Sequence, residues 1–164
     1  MLRAEWYVVW VATGKEMELL PKIRQIPGML QALCPRQALW QRKGGTWTQK
    51  EQLLFPGYIF LRCVMNSRVY YAAKALDGML GWLGRDTYWP STVREEEMAR
   101  VLAIENGGAA AILENVEIHK RQRRGYGMLT LQGKSYRIPF NVYEDKQAEE
   151  IPGDPSPGVE DAEQ

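Results

Sequence analysis

The chain has 164 residues, of which 45% are hydrophobic, and a formal net charge of +1. This length fits one ordinary domain, or a domain of about 110 residues with a small module. Since no apolar run reaches about 18 residues, a membrane-spanning helix is not expected. The first residues predict a strand rather than a signal peptide. The widely spaced Cys34 and Cys63 fit buried thiols in a reducing compartment, so a cytoplasmic protein is expected.

Charge is distributed unevenly along the chain. Of the 21 basic and 20 acidic side chains, one lysine and eight acids lie between positions 144 and 164. Residues 1–143 therefore carry 20 basic and 12 acidic side chains, a net charge of +8. A basic body suits a polyanionic partner. The segment after position 143 is rich in Pro, Gly and acids and is predicted to be disordered; it either only adds solubility or masks the basic body.

The first predicted elements are a strand and a helix. Residues 5–12, EWYVVWVA, are aromatic and β-branched, as is typical of a central strand. Thr13 and Glu16 have the spacing of a capping box, which predicts that a helix begins there with Thr13 as its cap. Pro21 lies inside this helix and should kink or shorten it.

A hairpin and an interrupted strand follow. Residues 37–43 and 46–49 flank paired glycines, which supply the positive φ that a tight turn needs. In LLFPGYIFLR, residues 53–62, Pro56 and the next glycine interrupt an apolar run, so the chain must bulge or turn before a strand at residues 57–64. The aromatic rings beside this kink either pack at the edge of the core or are exposed to bind a partner.

The second half predicts two more helices and several short strands. Asn66 should cap a helix over residues 67–76, and a strand is predicted at residues 79–83. A third helix should begin near Thr92, which opens a second capping-box pattern, and run to about Ala103. Three short strands are predicted beyond it, at residues 113–119, 127–132 and 135–140.

Helices mixed among antiparallel hairpins predict an α+β fold, in which an antiparallel sheet is flanked by three helices and followed by a small β appendage. The predicted organisation has four parts. These are a folded domain at residues 1–106, a linker at 107–111, a β-rich appendage at 112–143 and an acidic tail at 144–164.

No pattern of catalytic or metal-binding residues is found. The only histidine is His119, so a His-based metal site or triad cannot form within one chain. The glycine motifs that bind nucleotide phosphates are absent. Three adjacent acids at positions 95–97 fit the solvated first turn of a helix, where negative charge is favourable. Neither enzymatic activity nor a cofactor or metal is expected, and the protein is expected to be a monomer.

Two basic clusters are candidates for binding. The first is a turn that consists of Lys120, Arg121, Arg123 and Arg124. Such a turn either contacts nucleic-acid phosphates or is a solvated hairpin tip. The second is the RKGG tip between Trp40 and Trp47, whose rings are expected to pair across the hairpin rather than stack on bases. An RNA- or ribosome-binding module that uses the first turn is one function that follows.

Several of these segments together resemble the amino-terminal (NGN) domain of the NusG family. They are WYVVWVATGKE, the RKGG hairpin, LLFPGYIFLR and WPSTVREEEMARVL, and they occur in the order of that domain over residues 5 to about 106. The insert between the first strand and the kink, with its proline Pro21, resembles specialised paralogues such as RfaH and LoaP more than the housekeeping factor.

The resemblance implies a transcription elongation or antitermination factor that docks on the clamp helices of the largest RNA polymerase subunit and regulates pausing or termination. The residues that it implicates in binding the polymerase are Trp10, Phe55, Pro56, Tyr58 and Phe60. The kink is then expected to hold a ring, above all that of Phe55, out toward a helical partner. Positions in the core are an equal alternative for Tyr58 and Phe60.

The resemblance also implies contacts with nucleic acid. Non-template DNA is an expected partner, with nascent RNA as a second one. The implied DNA contacts lie in the turn after the first strand and at the end of the second helix, where this chain has Thr13, Lys15 and Lys74. The basic turn at Lys120 to Arg124 is the other predicted nucleic-acid site.

The family's second domain, a five-stranded KOW barrel, is matched only in part. Residues 127–132 and 137–142 resemble its last strands, whereas its opening strand and its Gly-Pro-Phe turn are absent. A segment of about 35 residues, 109–143, is short for that barrel and for an independent core. It is therefore expected to be a shortened or degenerate remnant that is packed on the first domain or partly unfolded.

Overall fold

The computed structural model describes residues 3–84 and 89–142 of the chain. Their strands are β1 Glu5–Val11, β2 Met29–Leu33, β3 Arg36–Lys43, β4 Thr46–Leu53, β5 Tyr58–Cys63, β6 Met79–Trp82, β7 Glu114–His119, β8 Arg124–Leu131 and β9 Lys134–Asn141. Their helices are α1 Glu16–Arg24, α2 Ser67–Lys74, α3 Glu95–Glu105 and α4 Ala109–Ile112, with a 3₁₀ turn at Lys120–Gln122 between β7 and β8.

The main sheet is antiparallel and has the strand order β2-β5-β1-β6. β1 and β5 pair along most of their length, so that Val8 lies opposite Phe60 and Trp10 lies opposite Tyr58. Because side chains alternate between the two faces of a strand, even-numbered residues of β1 point to one face and odd-numbered residues to the other. Both faces are covered, which explains why the apolar run of β1 is nearly continuous.

One face, here called the α1 face, carries α1 and α2. Leu19 and Ile23, one turn apart on α1, pack with Val69 of α2 against Val9 and Ile59 of the sheet. All five side chains are almost inaccessible to solvent. Burial of an aliphatic side chain of this size stabilises the fold by about 1.5–3 kcal/mol, so this core contributes strongly.

The opposite face, here called the α3 face, carries α3 and a three-stranded sheet of order β7-β8-β9. The buried side chains of β8 and β9 in this core are Leu129, Leu131, Ile138 and Phe140. They form one cluster with Val8 and Phe60 of the main sheet and Val101 of α3. A sheet of three strands must bury its apolar face against another surface, and here that surface is the main sheet. Of the arrangements expected for residues 109–143, the structure has the packed one.

Most predicted elements are confirmed, and so is the α+β fold. Asn66 caps α2, because its Oδ1 accepts a hydrogen bond of 2.9 Å from the backbone N–H of Val69. The hairpin β3–β4 turns at the two predicted glycines. β2 was not predicted, because this short edge strand, MLQAL, has one polar residue and no alternating pattern, and two of its five residues are exposed.

Four local predictions are wrong. Thr13 does not cap α1, whose N-cap is Lys15 and makes no side-chain cap. α3 begins at Glu95 rather than near Thr92, and Glu97 is buried rather than solvated. The predicted linker at 107–111 overlaps α4, whose Ala109 is part of the core on the α3 face. The predicted acidic tail lies outside the described residues.

Candidate functional site

The kink before β5 is held by a buried carboxylate. Glu16, at the start of α1, accepts a hydrogen bond of 2.8 Å from the N–H of Gly14 and one of 2.6 Å from the N–H of Gly57. Gly57 has φ +89, which favours glycine, and its carbonyl accepts from the N–H of Val11 at 2.8 Å. The kink is therefore fixed to the turn that follows β1, a role of Glu16 that capping-box spacing alone did not indicate.

The prediction that the kink holds Phe55 out toward a partner is wrong in this conformation. Its ring is only 4% exposed and belongs to the core on the α3 face. It makes edge contacts with Phe60 and Tyr136, at centroid distances of 5.3 and 5.4 Å. Tyr136 belongs to β9, which lies far along the chain from Phe55. The sequence around Phe55 therefore does not indicate that its ring is buried.

The other predicted polymerase-binding residues differ in exposure. Trp10 is 50% exposed and lies opposite Tyr58 in the sheet, close to the kink. Pro56 is exposed and Tyr58 is half-buried, whereas Phe60 is buried in the core. We call these five residues, Trp10, Phe55, Pro56, Tyr58 and Phe60, the kink surface. The structure brings them together, with an exposed rim around Trp10 and a covered part around Phe55.

Tyr136 is the main residue of β9 over the kink surface. Its ring lies edge-on to Tyr58 with 6.1 Å between centroids. Burial, together with the neighbouring Tyr58, raises the pKa of Tyr136 to about 12. The hydroxyl of Tyr136 therefore stays protonated near neutral pH. Nothing in the sequence around Tyr136 indicated this contact.

Hydrogen bonds fix the three-stranded sheet at both ends. At one end, the backbone N–H of Gln132 donates to Oε2 of Glu97 at 3.0 Å, which explains why that carboxylate is buried. At the other end, the N–H of Trp40 donates to Oδ1 of Asn141 at 2.8 Å. Arg124 Nη2 also donates to the carbonyl of Trp40 at 2.9 Å. The three-stranded sheet that covers Phe55 is thus held in place by hydrogen bonds as well as by apolar packing.

The predicted DNA-contacting residues lie around the turn after β1. Thr13 is exposed, and Lys15 Nζ lies 3.9 Å from carboxylate oxygens of both Glu18 and Asp77. Asp77 follows α2, so the two regions implied by the resemblance do come together. Lys74 is exposed, with its Nζ 5.7 Å from the centroid of the Tyr70 ring.

The predicted basic turn divides into two exposed and two enclosed residues. Lys120 and Arg121 are exposed. Arg123 is only 6% exposed, and its guanidinium lies 5.2 Å from the Trp40 ring centroid and 4.7 Å from that of Trp47. Arg124 is half-buried and bonded to the backbone of β3, as described above. The prediction that all four face a nucleic acid is therefore wrong for Arg123, because its charge is enclosed by aromatic rings.

Two further properties bear on function. The described part of the chain has no group of three or more His, Cys, Asp or Glu side chains that could hold a metal ion. Among the same residues, no helix is long and apolar enough to cross a membrane.

An antiparallel main sheet with α1 and α2 on one face and α3 on the other defines an NGN-type α+β protein. The chain belongs to the NusG family: the family model described as transcription termination factor nusG matches residues 4–102. The transcription termination/antitermination proteins NusG of Escherichia coli strain K12 and of Vibrio cholerae serotype O1 are each 22% identical to it over 107 residues. These alignments cover 61% of this chain and 59% of either relative.

A solved structure shares the fold. It is described as "Domain interaction in Thermotoga maritima NusG" and superimposes with a TM-score of 0.58 over 85% of this chain and 94% of the other. The sequence identity is 16%, so this likeness concerns the fold alone. The relatives bear the names of transcription factors and not of enzymes.

Proposed function

We propose that this protein is a transcription elongation and antitermination factor that binds the clamp helices of the largest subunit of RNA polymerase and thereby regulates pausing or termination. Membership of the NusG family supports a role in transcription. The observation that carries the proposal is the kink surface, in which the half-exposed Trp10 borders a kink fixed by Glu16. An accessible aromatic side chain on a fixed backbone is a typical anchor of an interface hot spot.

The kink surface binds in two stages in this proposal. Trp10, Pro56 and part of Tyr58 are accessible as the structure stands. Phe55 and Phe60 are reached only when β9, with Tyr136, moves off the α3 face, because that strand covers them. The three-stranded sheet therefore competes with the polymerase for the same apolar side chains, and the equilibrium between the covered and open forms sets the apparent affinity.

Nucleic-acid contacts beside the polymerase are part of the same proposal. Thr13, Lys15 and Lys74 surround the junction between the turn after β1 and the end of α2. Non-template DNA is the partner proposed for this junction. Lys15 already contacts two carboxylates, so binding a phosphate there requires it to exchange those ion pairs, and a weak contribution is expected.

We also propose that the chain is a specialised member of the family with a degenerate KOW region. The identity of 22% to curated NusG proteins is consistent with a divergent role. Among the described residues, the segment after α3 forms three strands packed on the α3 face rather than a separate five-stranded barrel, and this supports a degenerate KOW region. Such a segment serves as a cover for the kink surface rather than as an independent binding domain.

The test is a pull-down with purified bacterial RNA polymerase, with and without its clamp helices. Wild-type protein and a Tyr136→Ala variant, in which the cover is weakened, should both be retained by the complete enzyme only. Trp10→Ala should lower affinity by at least about 30-fold, the effect of a hot-spot truncation of about 2 kcal/mol. The matched control is Tyr71→Ala, which removes an aromatic ring that is 64% exposed on α2 at the opposite face of the sheet.

Three results would contradict the proposal. If neither the wild type nor Tyr136→Ala binds the polymerase, the role in transcription through this surface is wrong. If both bind equally well to an enzyme without clamp helices, the docking site lies elsewhere. Equal losses in Trp10→Ala and Tyr71→Ala would mean that the kink surface is not the interface.

A further inference from the structure

Two basic segments that are about 80 positions apart meet on one surface. The tip of the β3–β4 hairpin contributes Arg42 and Lys43, and the 3₁₀ turn contributes Arg121 and Gln122. Together with Trp47 they line an open cleft of about 490 Å³. Read separately, the two segments were an ordinary hairpin tip and a basic turn. The fold makes them two walls of one cleft.

The exposed cations of this cleft have no acidic partners within the described residues. Arg42, Lys43 and Arg121 line the cleft, and Lys120 precedes Arg121 in the chain. All four are exposed, and none of them makes an ion pair within the described residues. Other cations of the same part of the chain are paired, as in Arg36 with Glu51 at 2.9 Å. Four like charges held close together repel one another, so an anionic ligand that neutralises them is favoured.

The base of the cleft is rigid. The guanidinium of Arg123 contacts the rings of both Trp40 and Trp47, and Arg124 donates to the backbone of β3. The N–H of Arg123 donates to the carbonyl of Lys120 at 3.0 Å, which closes the 3₁₀ turn. The turn is thus fixed to the hairpin, so the exposed cations are positioned before any ligand arrives and lose little freedom on binding.

The enclosed Arg123 adds to the positive field. Its Nη1 is buried and makes no hydrogen bond within the described part of the chain. A guanidinium is always charged at ordinary pH, and contact with two indole rings offsets only part of its desolvation. The charge of Arg123 therefore adds to the positive potential of the cleft, although the Arg123 side chain does not itself contact a ligand.

We propose that this composite cleft binds the phosphate backbone of single-stranded nucleic acid. Exposed lysine and arginine side chains from two walls can follow successive phosphates of one strand, and the half-buried Trp47 borders their path. A basic groove with an aromatic side chain is the usual arrangement for single strands, and it carries no base-specific readout. The cleft therefore accepts both RNA and DNA strands. This goes beyond the proposed docking on polymerase, and its test contains no polymerase.

The experiment measures binding of the full chain to a fluorescently labelled 20-nucleotide RNA, by anisotropy at several salt concentrations. One double variant changes the hairpin, Arg42→Gln with Lys43→Gln. A second changes the turn, Lys120→Gln with Arg121→Gln. The matched control is Arg68→Gln with Lys134→Gln, which removes two exposed and unpaired cations elsewhere in the described residues.

Each cleft variant should lower the affinity for RNA about 5- to 20-fold and reduce the slope of log K against log salt by roughly 0.7 per lost phosphate contact. The control should change affinity less than about twofold. A single-stranded DNA of the same sequence should behave like the RNA, and duplex DNA should compete less well. Thermal melts confirm that the variants, all at exposed side chains, remain folded.

The two double variants test directly whether the hairpin and the turn contribute to one site. If the hairpin variant matches the control in affinity and in salt slope, the hairpin is not part of the site. If neither cleft variant differs from the control, there is no nucleic-acid site here. Tighter binding of duplex than of single strands would also overturn the proposal, and none of these results bears on polymerase docking.

Discussion

The two faces of the main sheet are covered in different ways. The α1 face is closed by helices that lie next to the strands in sequence, so its core forms within residues 7–69. The α3 face is closed partly by α3 and partly by β8 and β9, which follow 50 or more positions after the side chains they cover. The first face is therefore closed by contacts between segments that are near in sequence. The second face depends on contacts between distant segments, so we expect it to open more readily, and the kink surface lies on that face.

Substitution of Phe55 tests whether the covered part of the kink surface is truly core. Phe55→Ala should lower the free energy of unfolding by about 3–5 kcal/mol, because a large buried ring is lost and a cavity remains. Urea denaturation measures this loss. Leu30→Ala, at an exposed position of β2, is the control and should change stability by less than about 0.5 kcal/mol.

Amide exchange in the same variant separates the two faces. Protection in β8 and β9 should fall before protection in α1, because Phe55 joins the three-stranded sheet to the main sheet. A variant as stable as wild type would show that the ring is not held in this core. Equal loss of protection on both faces would show that they do not open independently.

Glu16 of α1 accepts hydrogen bonds from the kink through its charged carboxylate. The next substitution removes that charge. In Glu16→Gln, the amide NH₂ faces one of the two glycine N–H groups, so one buried donor loses its partner and about 1–3 kcal/mol of stability is lost. The control is Glu18→Gln on the exposed side of α1, where only surface ion pairs are removed. Thermal unfolding compares the two. An equally small effect of both would mean that the carboxylate does not fix the kink.

Tyr136 should affect stability and polymerase binding in opposite directions. Tyr136→Ala removes the ring contacts to Phe55 and Tyr58, which weakens the cover and destabilises the α3 face by about 1–3 kcal/mol. Affinity for RNA polymerase should rise several-fold, because the open form becomes more populated. Calorimetry and binding are measured on the same sample. A loss of both stability and binding would show that β9 supports the docking surface instead of covering it.

Alkaline pH should weaken the α1 face first. Burial raises the pKa of the Cys34 and Cys63 thiols to about 11, and both side chains pack on this face. Since folding disfavours the thiolate, their contribution to stability is complete below the ordinary thiol pKa of about 8.5 and is lost as pH rises toward 11. Burial raises the pKa of Tyr136, on the other face, to about 12, so its contribution is lost later.

The measurement is unfolding by urea at pH 8, 9.5 and 10.5, with Cys34→Ala and Cys63→Ala together as the comparison. The variant should be less stable at pH 8 but lose less stability than wild type as pH rises. Parallel curves for the two proteins would show that thiol ionisation is not the cause.

Much of the fold could be predicted because its signals are local. The aromatic and β-branched run of β1, the paired glycines of the hairpin and the Asn66 cap each act through neighbouring residues, and each prediction is confirmed. β2 was missed because this five-residue edge strand has one polar residue and so lacks a clear apolar period. Thr13 failed as a cap because Glu16 instead bonds the kink, which only the folded chain brings near.

The candidate sites divide in the same way. By itself the sequence determined an α+β order of elements, a kink with two aromatic rings and a basic body, since these depend on residue type and short spacing. The NGN type of the sheet was implied by the resemblance of several segments to the NusG family. Only the tertiary structure decided that Phe55 is covered while Trp10 is exposed, because Tyr136 arrives from 81 positions away. It also decided that Arg123 is enclosed and that Arg42 and Arg121 share a cleft, because contacts between distant segments depend on how whole sheets pack.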